Sequence, residues 1–391
     1  MSYPVFAIDP KMSIEELVIP VEGTGYLRKF WVEHPQLGQS LIKIEEDTAL
    51  AWSEKVSYEI AARLKLPAAS YEFGELIGWS NYADRTKVIV SPNFKSADVR
   101  YIQGTELLAS QTNPDDSYTV SRILETLSQN DIQLPSGYQA PFGIGNGADL
   151  MVGYLLLDSL VANNDRHSGN WEIGLDNTGT LTLAPVYDNG ASFATTFGSI
   201  VYDDFTAEKY MKTDLSYFGE FQIETFRQAA QIRPDAARVW LSQLSQIEQQ
   251  QLDDIFAQIP NERIDPKALA FSRELLNYNR SQLSNLELEL SSTQNLNNLY
   301  LRYAAQNTET KGLSQAKNIA KNALIDGIEP ERITEMLIDN NAAYRDLVSR
   351  SGAEQAQKMI VKKAQMELAT SKSKQSANEP TRPNQKSPRR S

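Results

Sequence analysis

Residues 163–170 read Asn163-Asn164-Asp165-Arg166-His167-Ser168-Gly169-Asn170, and two short apolar segments later the chain reads Tyr187-Asp188-Asn189-Gly190. A carboxylate, a carboxamide one loop further on and a second carboxylate beyond a hairpin are the parts that phosphoryl transfer from ATP needs. One acid orients a hydroxyl nucleophile, and the amide and the other acid offer oxygen to Mg2+ on the phosphates. In isolation a polar loop with Asx turns explains Asp165 and Asn170 equally well. The flanking sequence separates the two readings.

Upstream, Gly147–Ala162 predicts a strongly apolar helix, with Leu150, Tyr154, Leu157 and Val161 on one stripe and Met151, Leu155 and Asp158 beside it. Downstream, Trp171–Leu175, the turn Asp176-Asn177-Thr178-Gly179 and Leu181–Pro185 predict a β-hairpin that returns Asp188 towards Asn170. The turn lacks the alternating ligands of a calcium loop. Asp165 is the expected base, and Asn170 and Asp188 are the expected metal ligands. His167 is a candidate catalytic residue that also suits a prop for the loop. Arg166 suits an activating acid, a substrate phosphate or plain solvent.

The N-terminal segment predicts the other half of a nucleotide site. Residues 15–32 read as a hairpin around Gly23-Thr24-Gly25, whose backbone N–H groups suit phosphate. The strand Leu41-Ile42-Lys43-Ile44 follows, then a helix from Leu50 to Leu64 with Trp52, Val56, Ile60 and Leu64 towards the sheet. Glu54 is the expected partner of Lys43, and Glu59 is the alternative. Strands at Ala69–Gly74 and Lys87–Val90 lead to Ser91-Pro92-Asn93-Phe94, a hinge beside adenine. Pro92 has no N–H, so a neighbouring main-chain group would meet the base; Val90 and Ser91 are the nearest candidates.

Together these motifs resemble the HipA-like serine/threonine protein kinases. That family's loop Asn-x-Asp-x-His-x-x-Asn matches Asn163, Asp165, His167 and Asn170, and its Ala-Pro-x-Tyr-Asp matches Ala184, Pro185, Tyr187 and Asp188. The family lysine and glutamate look like Lys43 and Glu54, and Lys65 stands where the family helix ends in glycine. The segment Ile89–Phe94 looks like a shorter subgroup without the N-terminal module that engages an antitoxin. The resemblance spans roughly 15–290. It implies transfer of the ATP γ-phosphate to a protein hydroxyl, with autophosphorylation and a toxin or effector role in view, although the glycine loop offers Thr24 and no serine. Asp165-Arg166-His167 also resembles phosphatidylinositol kinases, which keeps a lipid or small-molecule acceptor open. A non-enzymatic binding protein on the same fold is the third reading.

The expected fold is α+β and two-lobed, protein-kinase-like: a small β-rich N-lobe with one helix over 1–92 and a larger helical C-lobe over 93–295. A helical accessory region over 296–370 suits a protein partner such as an antitoxin. Residues 371–391, basic and rich in Ser, Pro, Gln and Asn, read as a disordered tail. In the C-lobe, Ser192, Thr195, Thr196, Ser199 and Tyr202 read as a loop suited to an activation segment or substrate platform, and 218–290 reads as helices. The chain has 391 residues and a net charge of −12, which argues against nucleic-acid binding except through that tail. It has no cysteine, so disulfides and thiolate chemistry are excluded. No membrane span or signal peptide is legible, and a cytoplasmic location is the expectation.

Overall fold

The computed structural model describes residues 2–9, 11, 13–21, 25–44, 50–80, 83–109, 118–197, 199–308, 310–325 and 328–377. They fall into two compact units, Met1–Glu287 and Leu288–Ser391, divided within one long helix.

The first unit opens with strands β1 (Val5–Ile8), β2 (Ser13–Val21), β3 (Gly25–His34) and β4 (Gly38–Ile44), then helix α1 (Leu50–Arg63), then β5 (Glu72–Ser80) and β6 (Ala83–Pro92). They form one sheet in the order β1-β5-β6-β4-β3-β2, antiparallel except for the β1–β5 pair. Side chains alternate across a strand. Phe30, Val32, Ile42, Ile44, Val88 and Val90 therefore share one face, where they close a core with Ile8 and Leu76. The intervening Lys29, Trp31, Leu41 and Lys43 look the other way and line a cleft. Each buried aliphatic or aromatic side chain contributes about 1.5–3 kcal/mol, which pins the register.

Helix α1 buries Trp52, Val56, Ile60 and Leu64 as their spacing predicts. Lys65, just past the end of α1, takes the left-handed conformation (φ 60°) that glycine adopts most easily. The strand expected at Ala69–Gly74 begins later, at Glu72. Ala68 and Ala69 instead reach the later part of this unit, through a bridge to Val186 and a hydrogen bond from the Ala69 N–H to the Val186 carbonyl at 2.9 Å. β1 is a strand that the sequence reading did not anticipate.

The remainder of the first unit is mainly helical. It comprises β7 (Arg100–Gln103), α2 (Gly104–Ala109), α3 (Val120–Gln129), α4 (Gly147–Val161), β8 (Glu172–Leu175), β9 (Leu181–Leu183), α5 (Ser199–Asp204), α6 (Ala207–Met211), α7 (Gln222–Ile232), α8 (Pro234–Ser245), α9 (Gln249–Ala257) and the first part of α10 (Pro266–Ala305). Helix α4 is buried on every side rather than along a single stripe. At Gly153 an added Cβ would lie 2.6 Å from Trp240 and 2.7 Å from Leu66, so that glycine permits close helix packing. The β8–β9 hairpin forms as expected, and Asp176 Oδ1 accepts from the Thr178 and Thr180 N–H groups to close its turn. The segment read as a loop after Asp188 is instead partly helical, and it buries Ser192 and Thr195. The Thr195 hydroxyl donates to the Gly190 carbonyl at 2.7 Å, so neither residue offers an open platform.

The second unit has its own core, built from Leu296, Tyr303, Ile319, Ile333, Met336, Leu337, Tyr344 and Val361 among others. Its helices are the end of α10, α11 (Gly312–Ile325), α12 (Pro330–Asn340), α13 (Ala342–Ser351), α14 (Ala353–Gln357), a π-helical turn at Lys358–Lys362 and α15 (Lys363–Ala377). Helix α15 thus continues to Ala377, into the segment read as a disordered tail; residues 378–391 lie outside the described residues. Among the described residues no helix is long and apolar enough to cross a membrane.

Candidate active site

Arg166 organises the loop between α4 and β8. Asp158 is buried deep in α4 among apolar side chains, where an unpaired charge would be costly. The Arg166 guanidinium meets it in a two-pronged pair, Nη2 to Oδ1 at 2.8 Å and Nε to Oδ2 at 2.9 Å. Its remaining N–H groups donate to the Asn170 carbonyl (2.7 Å), the Tyr187 carbonyl (2.9 Å) and Asn189 Oδ1 (2.5 Å). One buried cation therefore sets Asn170 beside the segment that carries Asp188. Of the roles open to Arg166 from sequence, pairing with an acid is the one observed, and that acid is within the helix core. Asn163 adds a bond from Nδ2 to Asp158 Oδ1 at 2.8 Å.

Asp165 and Asn170 face each other across this loop. The Asn170 amide nitrogen donates to the Asp165 carbonyl (2.6 Å), which leaves its Oδ1 as the free acceptor. Burial, opposed by His167 and Arg166 and helped by the charge of Asp188, raises the Asp165 pKa above the ordinary carboxylate value. The Gly169 N–H donates to His167 Nδ1 at 2.9 Å, so the neutral ring carries its proton on Nε2, 3.9 Å from Asp165 Oδ1. His167 thus braces the loop beside Asp165. Asp214, which sequence reading missed, accepts from Asn164 Nδ2 at 3.1 Å and steadies the loop from the opposite side.

Across the cleft, Lys43 lies between two carboxylates. Its ammonium hydrogen-bonds Glu54, and it donates to Asp188 Oδ1 at 2.8 Å. Glu59, the alternative partner, instead pairs with Lys55 (3.0 Å) and Arg63 (3.1 Å). The Asp188 main-chain N–H donates to the Tyr71 hydroxyl at 3.0 Å, and the residue is held at φ 57°. Lys43 pulls the Asp188 pKa well below the ordinary value. Burial raises that of Glu54 to about 7, against the pull of Lys43 and with the help of Asp188. Burial works against the charge on Lys43, but the two carboxylates more than offset it and raise its pKa.

The cleft itself is a cavity of about 180 Å³ lined by Lys29, Trp31, Leu41, Lys43, Tyr71 and Asp188, with Ser91–Lys95, Glu172 and Tyr187 along its far edge. Trp31 and Leu41 form an apolar part of it, Lys29, Lys43 and Asp188 a charged part, and Lys95 pairs with Glu172 at 2.7 Å. Ser91 lines it. The Val90 side chain does not: it is buried in the core on the other face of the sheet, which leaves only its main chain available to a ligand. The Asn93 N–H, beyond Pro92, is already given to the Gln39 carbonyl at 2.8 Å. Gly25 begins β3; Gly23 and Thr24 lie outside the described residues.

A β-sheet lobe with one helix, a helical lobe and a charged cleft between them are now in place. This is a two-lobed, protein-kinase-like fold. Among solved structures, this chain is similar to the Helicobacter pylori proinflammatory kinase CtkA, with a TM-score of 0.49 and 15% identity over 72% of this chain and 98% of that one. It is also similar to the Shewanella oneidensis HipA solved with HipB and operator DNA, with a TM-score of 0.42 and 14% identity over 71% of this chain and 66% of that one. No protein-family model and no curated protein sequence matches the chain.

Among the described residues no group of three or more His, Cys, Asp or Glu could hold a metal by itself. Asn170 Oδ1 and the Asp188 carboxylate fit a hard cation that takes its other oxygens from phosphate and water, which is how magnesium is usually held on a nucleotide.

Proposed function

We propose that this protein is an ATP-dependent, HipA-like serine/threonine protein kinase. The observation that carries the reading is Lys43 held between Glu54 and Asp188, with Asp165 and Asn170 locked beside them by Arg166. A lysine fixed by a helix glutamate positions nucleotide phosphates, and an acid next to the metal ligands receives the nucleophile. The acceptor hydroxyl oxygen attacks the γ-phosphorus. The bond from that phosphorus to the bridging oxygen breaks, ADP leaves with the electron pair, and the hydroxyl proton passes to Asp165. The raised pKa of Asp165 suits it to take that proton. Magnesium, held by Asn170 and Asp188, would neutralise phosphate charge in the cleft.

The protein acceptor includes this chain itself, and the helical second unit is the part suited to a protein partner such as an antitoxin. Incubation with γ-labelled ATP, magnesium and a lysate of the native host tests the reading. Labelled protein bands are expected from the unaltered chain. Asp165→Ala and Asp188→Ala should each lose roughly two or more orders of magnitude in rate while melting as cooperatively as the parent. Label that enters lipid alone would move the acceptor to a phosphatidylinositol-type substrate, and equal labelling by the Asp165→Ala chain would overturn the assignment of the base.

A further inference from the structure

The register of β3 against β4 sets Lys29 directly opposite Lys43, and Trp31 opposite Leu41. Paired residues on neighbouring strands project from the same face. The cleft roof is therefore an apolar pair followed by a cationic pair, all four residues lining the same cavity. Lys43 spends its ammonium on Glu54 and Asp188. The partly buried Lys29 ammonium has no ion pair and no hydrogen bond among the described residues, although it carries three donors. A cation withdrawn from water without an anion is unfavourable, and burial lowers the Lys29 pKa, opposed by the nearby charge of Asp188. Among the described residues the cleft thus holds one more positive group than its carboxylates pair with, at the end away from the Trp31–Leu41 pair.

We propose that Lys29 is a second phosphate-binding residue of this cleft, which meets the polyphosphate of a nucleotide beside Lys43 while the base lies under Trp31 and Leu41. The proposal rests on the nucleotide-binding reading given above and assigns a group to it that neither the motif spacing nor the Lys43–Glu54 pair supplies. It also gives the cleft a direction: a polyphosphate is favoured at the lysine end, and a nucleoside without phosphates leaves Lys29 unpaired.

The test is calorimetric binding of Mg-ATP to the full chain and to Lys29→Gln and Lys29→Arg, with the ligand-free melting temperature of each. A charge-assisted hydrogen bond is worth ~10- to 100-fold in affinity, so Lys29→Gln should raise the Kd for Mg-ATP by about that factor. Its ligand-free Tm should be no lower than the parent's, because the substitution removes a buried charge that lacks a partner. Lys29→Arg should recover most of the affinity. An unchanged Kd in Lys29→Gln, or a Kd raised equally in both variants, overturns the proposal and leaves the kinase reading standing. An unaltered chain that binds no Mg-ATP sinks the kinase reading and this proposal with it.

Discussion

At the scale of single residues, Arg166 and Glu54 decide most about the site. Arg166 is fully buried and its charge is matched by Asp158, so removing one partner strands the other in the helix core. Arg166→Met should lower unfolding stability by about 3–5 kcal/mol in denaturant titrations. The double variant Arg166→Met with Asp158→Leu should recover much of that stability but not phosphoryl transfer, because the Asn170 and Tyr187 carbonyls lose their common donor. Glu54 carries a pH signature. Its pKa is about 7 in the folded chain against an ordinary 4.5, so in that window the folded state holds a proton that the unfolded state has released. Stability should therefore fall as pH rises through the window, and Glu54→Gln should flatten that part of a Tm–pH curve. A curve with the same slope in both chains would contradict the shift. Asp188 acts in the opposite sense: its depressed pKa adds stability that is lost as pH falls through the acid range below 3.8.

At the scale of elements, the end of α1 stores a small strain. A non-glycine residue in the left-handed region costs ~1–2 kcal/mol, and the extra unfolded-state entropy of glycine offsets about 0.5–1 kcal/mol of any relief. Lys65→Gly should accordingly be neutral to stabilising by up to ~1.5 kcal/mol in chemical denaturation. A clear loss would show that the Lys65 side chain has a role of its own. The main elements near the site were legible because their periods are clean: Trp52, Val56, Ile60 and Leu64 recur at helical spacing, and the β8–β9 turn carries Asp and Gly where a tight hairpin needs them. β1 was not legible. Four residues give too short a pattern, and their partners, Phe73 to Leu76, lie far along the chain. The π-turn at Lys358–Lys362 was likewise not legible within the helical region expected over 296–370, since its residues suit an ordinary α-helix equally well.

At the scale of the whole molecule, the cleft is the quantity that a ligand reports. A ligand that binds only the folded chain stabilises it by about 2.7 kcal/mol when present at 100 times its Kd. Mg-ATP should raise Tm accordingly. Chelation of magnesium should reverse most of the shift, and Asp188→Ala should lack the part that depends on the metal. A Tm unmoved by nucleotide with magnesium would count against the site as a whole.

Sequence alone nominated the chemical groups of the proposed site and their order along the chain, because Asp165, Asn170 and Asp188 belong to motifs whose spacing is local and whose flanking helix and hairpin announce themselves. It did not determine partners. Glu54 and Glu59 lie five residues apart and so roughly 140° apart around the helix axis; which of them meets Lys43 depends on how α1 rolls against the sheet, and that is a packing outcome. Tertiary structure alone turned Arg166 inward to Asp158, packed the Val90 side chain into the sheet core and left Lys29 facing Lys43 with no ion pair among the described residues. Each depends on register or rotation between elements distant in sequence, where the driving force is burial of other residues' apolar surface rather than anything in the polar residues themselves.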